Sequence, residues 1–182
     1  MARTRRLARP WLLPAAALFL TGTAAAEPVK TDTGGFQSTI EVTLPGAPEV
    51  IYDAVTGDIS GWWDHTFSDE PARFFIEARP GGGFYEYFDE EGKNGVLHGT
   101  VIYAHRGEIL RFQGPLGFSG NAIQLVATYH FEASGADSTR LTVTVDAAGH
   151  LEEGWPETVD AAWRHFILDR FQPYVKSGKH LR

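Results

Sequence analysis

The sequence predicts an α+β fold in which a seven-stranded antiparallel sheet is covered by one long C-terminal helix. Three observations carry this reading. Six stretches between residues 72 and 149 alternate apolar with polar side chains and are separated by turn residues, the pattern of successive strands. A stretch of the same kind opens the domain at residues 36–46. After Pro156 the spacing of large apolar residues changes from two to three and four, which is a helical period.

The first strand, FQSTIEVTLPG, alternates and stops at Pro45-Gly46, a turn pair. In the next stretch Val50, Ile51, Ala54 and Val55 fit a short helix, and Ile59 to Trp63 fit a second. Residues 72–79 and 83–90 are joined by Pro80-Gly81-Gly82-Gly83, a hairpin connection. Residues 95–105 and 108–114 make another pair, joined near Arg106-Gly107. In 121–135, Ile123, Leu125, Ala127, Tyr129 and Phe131 share one face, and in 138–149 Leu141, Val143 and Val145 do the same. Short links between consecutive strands make the pairing antiparallel. From Pro156 to Val175, Val159, Trp163, Phe166, Ile167, Phe171 and Tyr174 line one side of a helix of about five turns. Pro156 suits the first turn, where its missing N–H costs nothing.

Ahead of this domain, residues 1–26 hold four arginines, an apolar run from Trp11 to Leu20, and small residues ending in Ala24 and Ala26. These are the parts of a secretory signal peptide, with cleavage expected after Ala26. The apolar run falls well short of the roughly 20 residues that span a bilayer. The expected destination is therefore periplasmic or secreted, with no stable membrane anchor after cleavage. Residues 27–35 read as a flexible leader and 177–182 as a tail. The chain has 16 basic and 23 acidic residues, net −7; without the four arginines it has 12 against 23, net −11. That charge repels phosphate backbones and excludes nucleic acid as a partner. There is no cysteine, so the core alone must hold the fold and no thiol can act as a nucleophile. The expected state is a monomer.

The element order, with APEVIYDAVT, GWW, RPGGGFYEYF, VLHGTVIYAHRGEILRF and TRLTVTVDAAGHLEEGWPETVDAAWRHFI, resembles the START/Bet v superfamily (SRPBCC). Within it, the chain resembles the branch named after the C-terminal domain of the activator of heat-shock-protein-90 ATPase, over residues 36–176. The resemblance implies a helix-grip architecture: a curved seven-stranded sheet wrapped round the C-terminal helix, two short helices after the first strand, and an internal cavity. Relatives bind lipids, sterols, polyketides and plant hormones, which implies a hydrophobic small-molecule ligand. Most relatives of this type are cytosolic, so the export signal sets this chain apart.

On that architecture the expected ligand-binding residues are Trp62, Trp63, Phe84, Glu86, Phe88, Phe112, Tyr129, Trp163 and Phe166. Trp62 and Trp63 are adjacent and cannot point the same way on a regular element; one is expected in the core and the other in the pocket, unless both are packing. In FYEYF, inward Phe84 and Phe88 would force Glu86 inward, raising its pKa and making it an acid, a base or an anchor. Inward Tyr85 and Tyr87 would instead leave Glu86 in water, where charged residues usually sit. Arg111, between Leu110 and Phe112, carries the same ambiguity. Glu86, His98 and Tyr129 are the candidate catalytic groups. The histidines show no H-x-x-x-H spacing, so no metal is expected. No G-x-S-x-G, phosphate-binding or dinucleotide motif is present, so no cofactor is expected.

The expected function is binding of a hydrophobic or aromatic, lipid-like or polyketide-like molecule. The alternative is a cofactor-independent cyclase, dehydratase or hydrolase using the same cavity. A third reading, partnership with a chaperone ATPase, conflicts with export away from the cytosolic chaperone.

Overall fold

The computed structural model describes residues 33–181, so the expected signal peptide lies outside the described residues. The strands are β1 (Gly34–Pro45), β2 (Gly57–Asp58), β3 (Arg73–Ile76), β4 (Gly83–Tyr87), β5 (Gly95–His105), β6 (Ile109–Gly114), β7 (Ile123–Ala133) and β8 (Ser138–Gly149). They form one open antiparallel sheet in the order β1-β8-β7-β6-β5-β4-β3-β2. The strand count is therefore eight, where the sequence pattern predicted seven. The extra strand is only two residues long: Gly57 and Asp58 pair with Ile76 and Phe75. So short a segment leaves no alternation to read. β1 also starts two residues before the predicted Phe36.

The short helix α1 (Pro48–Val55) follows β1 as expected, with Pro48 in its first turn and Ile51, Tyr52, Ala54 and Val55 buried. The second predicted helix, Ile59 to Trp63, is a single turn instead. The Ile59 N–H bonds the Phe74 carbonyl as part of the sheet edge, and its own carbonyl accepts the N–H groups of Trp62 and Trp63. The backbone is thus extended up to Ile59, and one turn is all that fits before the chain leaves.

The C-terminal helical run is continuous but not uniform. α2 (Trp155–Arg164) passes into a π-helical segment (His165–Phe171) and then into α3 (Gln172–Lys176). Pro173 stands just beyond the wide turns. A proline inside a helix has no N–H for the carbonyl four residues back, and its ring crowds that carbonyl. The Gln172 N–H reaches Ile167, five residues back, the π-type bond that widens the helix at such points.

Period-two alternation places the core. Ile40, Val42 and Leu44 of β1, Leu141, Val143 and Val145 of β8, and Leu125, Ala127 and Tyr129 of β7 are buried on one face. Val159, Trp163, Phe166, Ile167, Phe171 and Val175 are the buried residues of the C-terminal run. Burying each large aliphatic or Phe side chain contributes about 1.5–3 kcal/mol.

Two bulges interrupt β5. Across β4, Phe84 pairs with Gly99 and Tyr85 with Leu97, leaving His98 as the extra residue. Across β6, Val101 pairs with Phe112 and Tyr103 with Arg111, leaving Ile102 extra. A bulge re-aims side chains: His98 is turned inward, while Ile102 and Tyr103 both face out. Gly114 permits the first bulge, because a Cβ there would lie 2.3 Å from the His98 carbonyl oxygen.

Candidate functional site

A cleft of about 360 Å³ opens between the sheet and the C-terminal helical run. It is open on one side, so it is a cleft rather than the enclosed cavity expected. Val159, Trp163 and Phe166 wall it from the helical run, and Trp63, His65 and Phe67 from the loop after the Ile59 turn. Phe84 and His98 face it from the sheet, and Leu116 and Phe118 from the loop after β6. Leu116 takes a left-handed backbone (φ 43°), uncommon for a residue with a side chain. Its N–H donates to the His98 carbonyl at 3.0 Å, tying that loop to the bulge.

The two tryptophans divide as alternation requires. Trp62 is fully buried against Phe171, ring centroids 4.8 Å apart. Trp63 forms the floor of the cleft: it stacks on Phe166 at 4.1 Å and meets Phe84 and Trp163 edge-on. Its indole N–H donates to the His65 carbonyl at 3.1 Å.

Behind His98 lies Glu86, with no exposed surface. β4 ends at Tyr87, and the inward residues are Phe84 and Glu86. Burial of Glu86 is stabilised because its carboxylate is saturated with donors. Ser68 N–H donates to Oε1 at 2.7 Å, Phe67 N–H to Oε2 at 3.0 Å, and His98 Nε2 lies 2.9 Å from Oε2. A buried carboxylate survives only with such partners. The same contact orients His98: Nε2 carries the proton donated to Glu86, and Nδ1 keeps the lone pair. Burial lowers the His98 pKa below its ordinary value, against the opposing pull of Glu86. The Phe84, Phe74 and Phe67 rings lie 4.9, 5.7 and 5.7 Å from the imidazole. The result is an imidazole oriented by Glu86 within an aromatic wall.

Solved structures share this fold. A Staphylococcus aureus protein of unknown function aligns over 81% of this chain and 98% of its own, with TM-score 0.62 and 14% identity. The Aha1 dimer from Colwellia psychrerythraea aligns over 79% and 98%, with TM-score 0.50 and 16% identity. DynU16, from the dynemicin biosynthetic locus, aligns over 78% of this chain and 48% of its own, with TM-score 0.50 and 17% identity. No family profile and no curated protein sequence matches the chain.

Of the residues expected at the ligand, Trp63, Phe84, Trp163 and Phe166 line the cleft, as does the catalytic candidate His98. Glu86 stands one layer behind, reached through His98. Trp62, Phe112 and Tyr129 lie in the core, Phe112 and Tyr129 packed behind Trp163. Phe88 is the plain correction: it is 42% exposed. The chain has left the sheet there, into a turn held by Asp89, whose carboxylate accepts the N–H groups of Lys93 and Asn94. Tyr129 is a poor acid or base, since burial pushes its pKa up and its hydroxyl has no partner among the described residues. Arg111 faces outward and donates to Thr128 Oγ1 at 2.8 Å.

Asp64-His65, a loop pair after the tryptophans that the sequence could bring to Glu86 or His98 only through folding, places His65 on the cleft. Phe67, Leu116 and Phe118, which also reach it from irregular loops, had no signal in the sequence. Sequence reasoning also missed the convergence of Asp64, His65 and His165, whose ligand atoms lie within 4.8 Å of one another.

Proposed function

We propose that this chain is an exported single-domain protein that holds a hydrophobic, aromatic small molecule in the cleft, with His98 as its polar anchor. The observation that carries this is His98, held 2.9 Å from the buried Glu86 and lining the same cleft as Trp63, Phe84, Trp163 and Phe166. Small-molecule sites combine an apolar, aromatic lining with a few fixed polar groups, in volumes upward of about 300 Å³. An imidazole with a free Nδ1 lone pair accepts a hydrogen bond from a ligand hydroxyl or N–H. The START/Bet v resemblance, with its helix-grip architecture, and a structural neighbour from a biosynthetic locus support a lipid-like or polyketide-like molecule. The signal-peptide pattern of residues 1–26 supports export.

The dyad supports a second reading, in which the same cleft catalyses. A neutral histidine backed by a carboxylate is a general base, and here Glu86 would hold the tautomer and stabilise the imidazolium that forms.

Native mass spectrometry of the protein from its host's exported fraction tests the first reading. The expected result is an added mass of small-molecule size, released on denaturation and absent from Trp63→Ala and His98→Gln. A clean apo mass, together with no quenching of tryptophan fluorescence by a panel of hydroxylated aromatics, would sink it. Incubating the released molecule with fresh protein separates the two readings: recovery unchanged supports binding, and conversion that His98→Gln lacks supports catalysis.

A further inference from the structure

At the rim of the cleft, Asp64, His65 and His165 converge from two parts of the chain. Asp64 and His65 follow the tryptophan pair, and His165 begins the π-helical segment, 101 residues away from Asp64. One carboxylate oxygen, Asp64 Oδ1, lies 3.0 Å from His65 Nδ1 and 3.1 Å from His165 Nε2. All three ligand atoms fall within 4.8 Å of one another. We infer that Asp64, His65 and His165 form a binding site for a divalent transition-metal ion of the zinc type.

Donor chemistry selects the ion. Two imidazoles and a carboxylate suit zinc and its neighbours, whereas calcium and magnesium take oxygen ligands. Geometry agrees. Donors about 2.1 Å from a tetrahedral ion lie about 3.4 Å apart, so two of the three edges are already near the required length.

The groups around the triad supply what metal sites require beyond their ligands. A ligating histidine is oriented by a carboxylate on its other nitrogen, and His165 Nδ1 faces Asp169 Oδ2 at 3.4 Å. The second Asp64 oxygen, Oδ2, meets Arg170 Nε at 3.1 Å, and Arg170 Nε also donates to the Trp62 carbonyl at 3.3 Å. His165 Nε2 also lies 2.9 Å from Oδ2; an ion bound between Oδ1 and the two imidazoles would replace that contact while Arg170 keeps hold of Oδ2. The His65 carbonyl accepts the Trp63 indole N–H, so the backbone of this ligand is tied to the cleft floor. His65 keeps 59% and His165 35% of their side-chain surface exposed, which provides an entry path.

Three protein ligands leave a fourth tetrahedral position open, the arrangement of catalytic rather than structural zinc. His65 itself lines the cleft, so that position is within reach of an oxygen of a molecule held there. The sequence showed no metal motif because the ligands come from two distant elements. The inference stands whether or not the cleft holds a ligand.

The test is isothermal titration of the untagged, chelator-stripped chain with zinc chloride, repeated with cobalt chloride and read by visible absorption. The expected result is one saturable equivalent of each metal, with the intense visible bands of a four-coordinate cobalt site. His65→Gln and His165→Gln should each weaken binding about tenfold or more and flatten the cobalt bands, with unchanged circular dichroism. Magnesium should give no saturable heat. No saturable zinc equivalent would reduce the triad to an ion-pair hub and overturn the inference. So would affinity close to that of the unaltered chain in both variants, which would place the ion elsewhere.

Discussion

Replacing Glu86 by alanine should be among the most damaging single changes in this protein, and its cost can be worked from three contacts. The Glu86 carboxylate is fully buried and accepts from Phe67 N–H, Ser68 N–H and His98 Nε2–H. Alanine leaves all three donors without a partner. A buried donor left unsatisfied costs about 1–3 kcal/mol. The two backbone groups are only partly buried and belong at the lower end. The released desolvation cost of the carboxylate offsets some of the total. The net expectation is a loss of about 3–5 kcal/mol, or roughly 6–20 °C in Tm for a domain of this size. Glu86→Gln keeps the shape and one acceptor oxygen but turns an amide N–H₂ toward a donor, so it should cost about 1–3 kcal/mol. Urea denaturation followed by circular dichroism and tryptophan fluorescence measures both. Hydrogen exchange should show faster exchange at the Phe67 and Ser68 amides in Glu86→Ala. A loss below about 1 kcal/mol in the alanine variant would refute the reasoning, since it would mean that water replaces the carboxylate freely.

Three further outcomes follow from the same structure. His98 has a folded-state pKa below its ordinary 6.5, so the unfolded chain takes up the proton first. Its contribution to stability is therefore complete above about pH 6.5 and falls as pH drops through that value and toward the folded pKa. Urea midpoints measured from pH 8 to pH 5 should decline more steeply for the unaltered chain than for His98→Gln, and parallel curves would contradict this. Tyr129→Phe removes a buried hydroxyl with no partner among the described residues, so stability should stay within about 1 kcal/mol or rise; a larger loss in thermal melts would reveal a missing partner. Gly114→Ala would drive a Cβ to 2.3 Å from the His98 carbonyl oxygen and 2.6 Å from Gly99 Cα. It should therefore cost about 1–3 kcal/mol and shift the His98 imidazole signals in NMR spectra, whereas unchanged signals would show that the bulge does not depend on this close approach.

What the sequence alone determined was the periodic part of the molecule. Ile40, Val42 and Leu44 alternate on β1, as do Leu125, Ala127 and Tyr129 on β7, and the buried face follows from the pleat without further knowledge. The helical spacing of Val159, Trp163 and Phe166 likewise named the side that meets the sheet. Even the division between Trp62 and Trp63 was implied by adjacency, although which of them reached the cleft was not. These are local consequences of backbone geometry, and they repeat often enough to be read.

Only the tertiary structure decided the site, because each part of it breaks the local period. His98 faces inward because a bulge adds one residue to β5, and Gly114 on the neighbouring strand makes room for it. Glu86 can be buried because two amides of a distant loop and that same imidazole saturate it, whereas a charge on a strand is by default a solvated one. Phe88, which alternation would carry to the same face as Phe84 and Glu86, turns out because Asp89 closes a turn and ends the strand first. The widened helix at His165–Phe171 answers to Pro173, and it carries His165 to within hydrogen-bonding distance of an aspartate 101 residues away. Bulges, turn closures and long-range pairings exchange one local hydrogen bond for a distant one, and the partner of that distant bond is not written in any stretch of neighbouring residues.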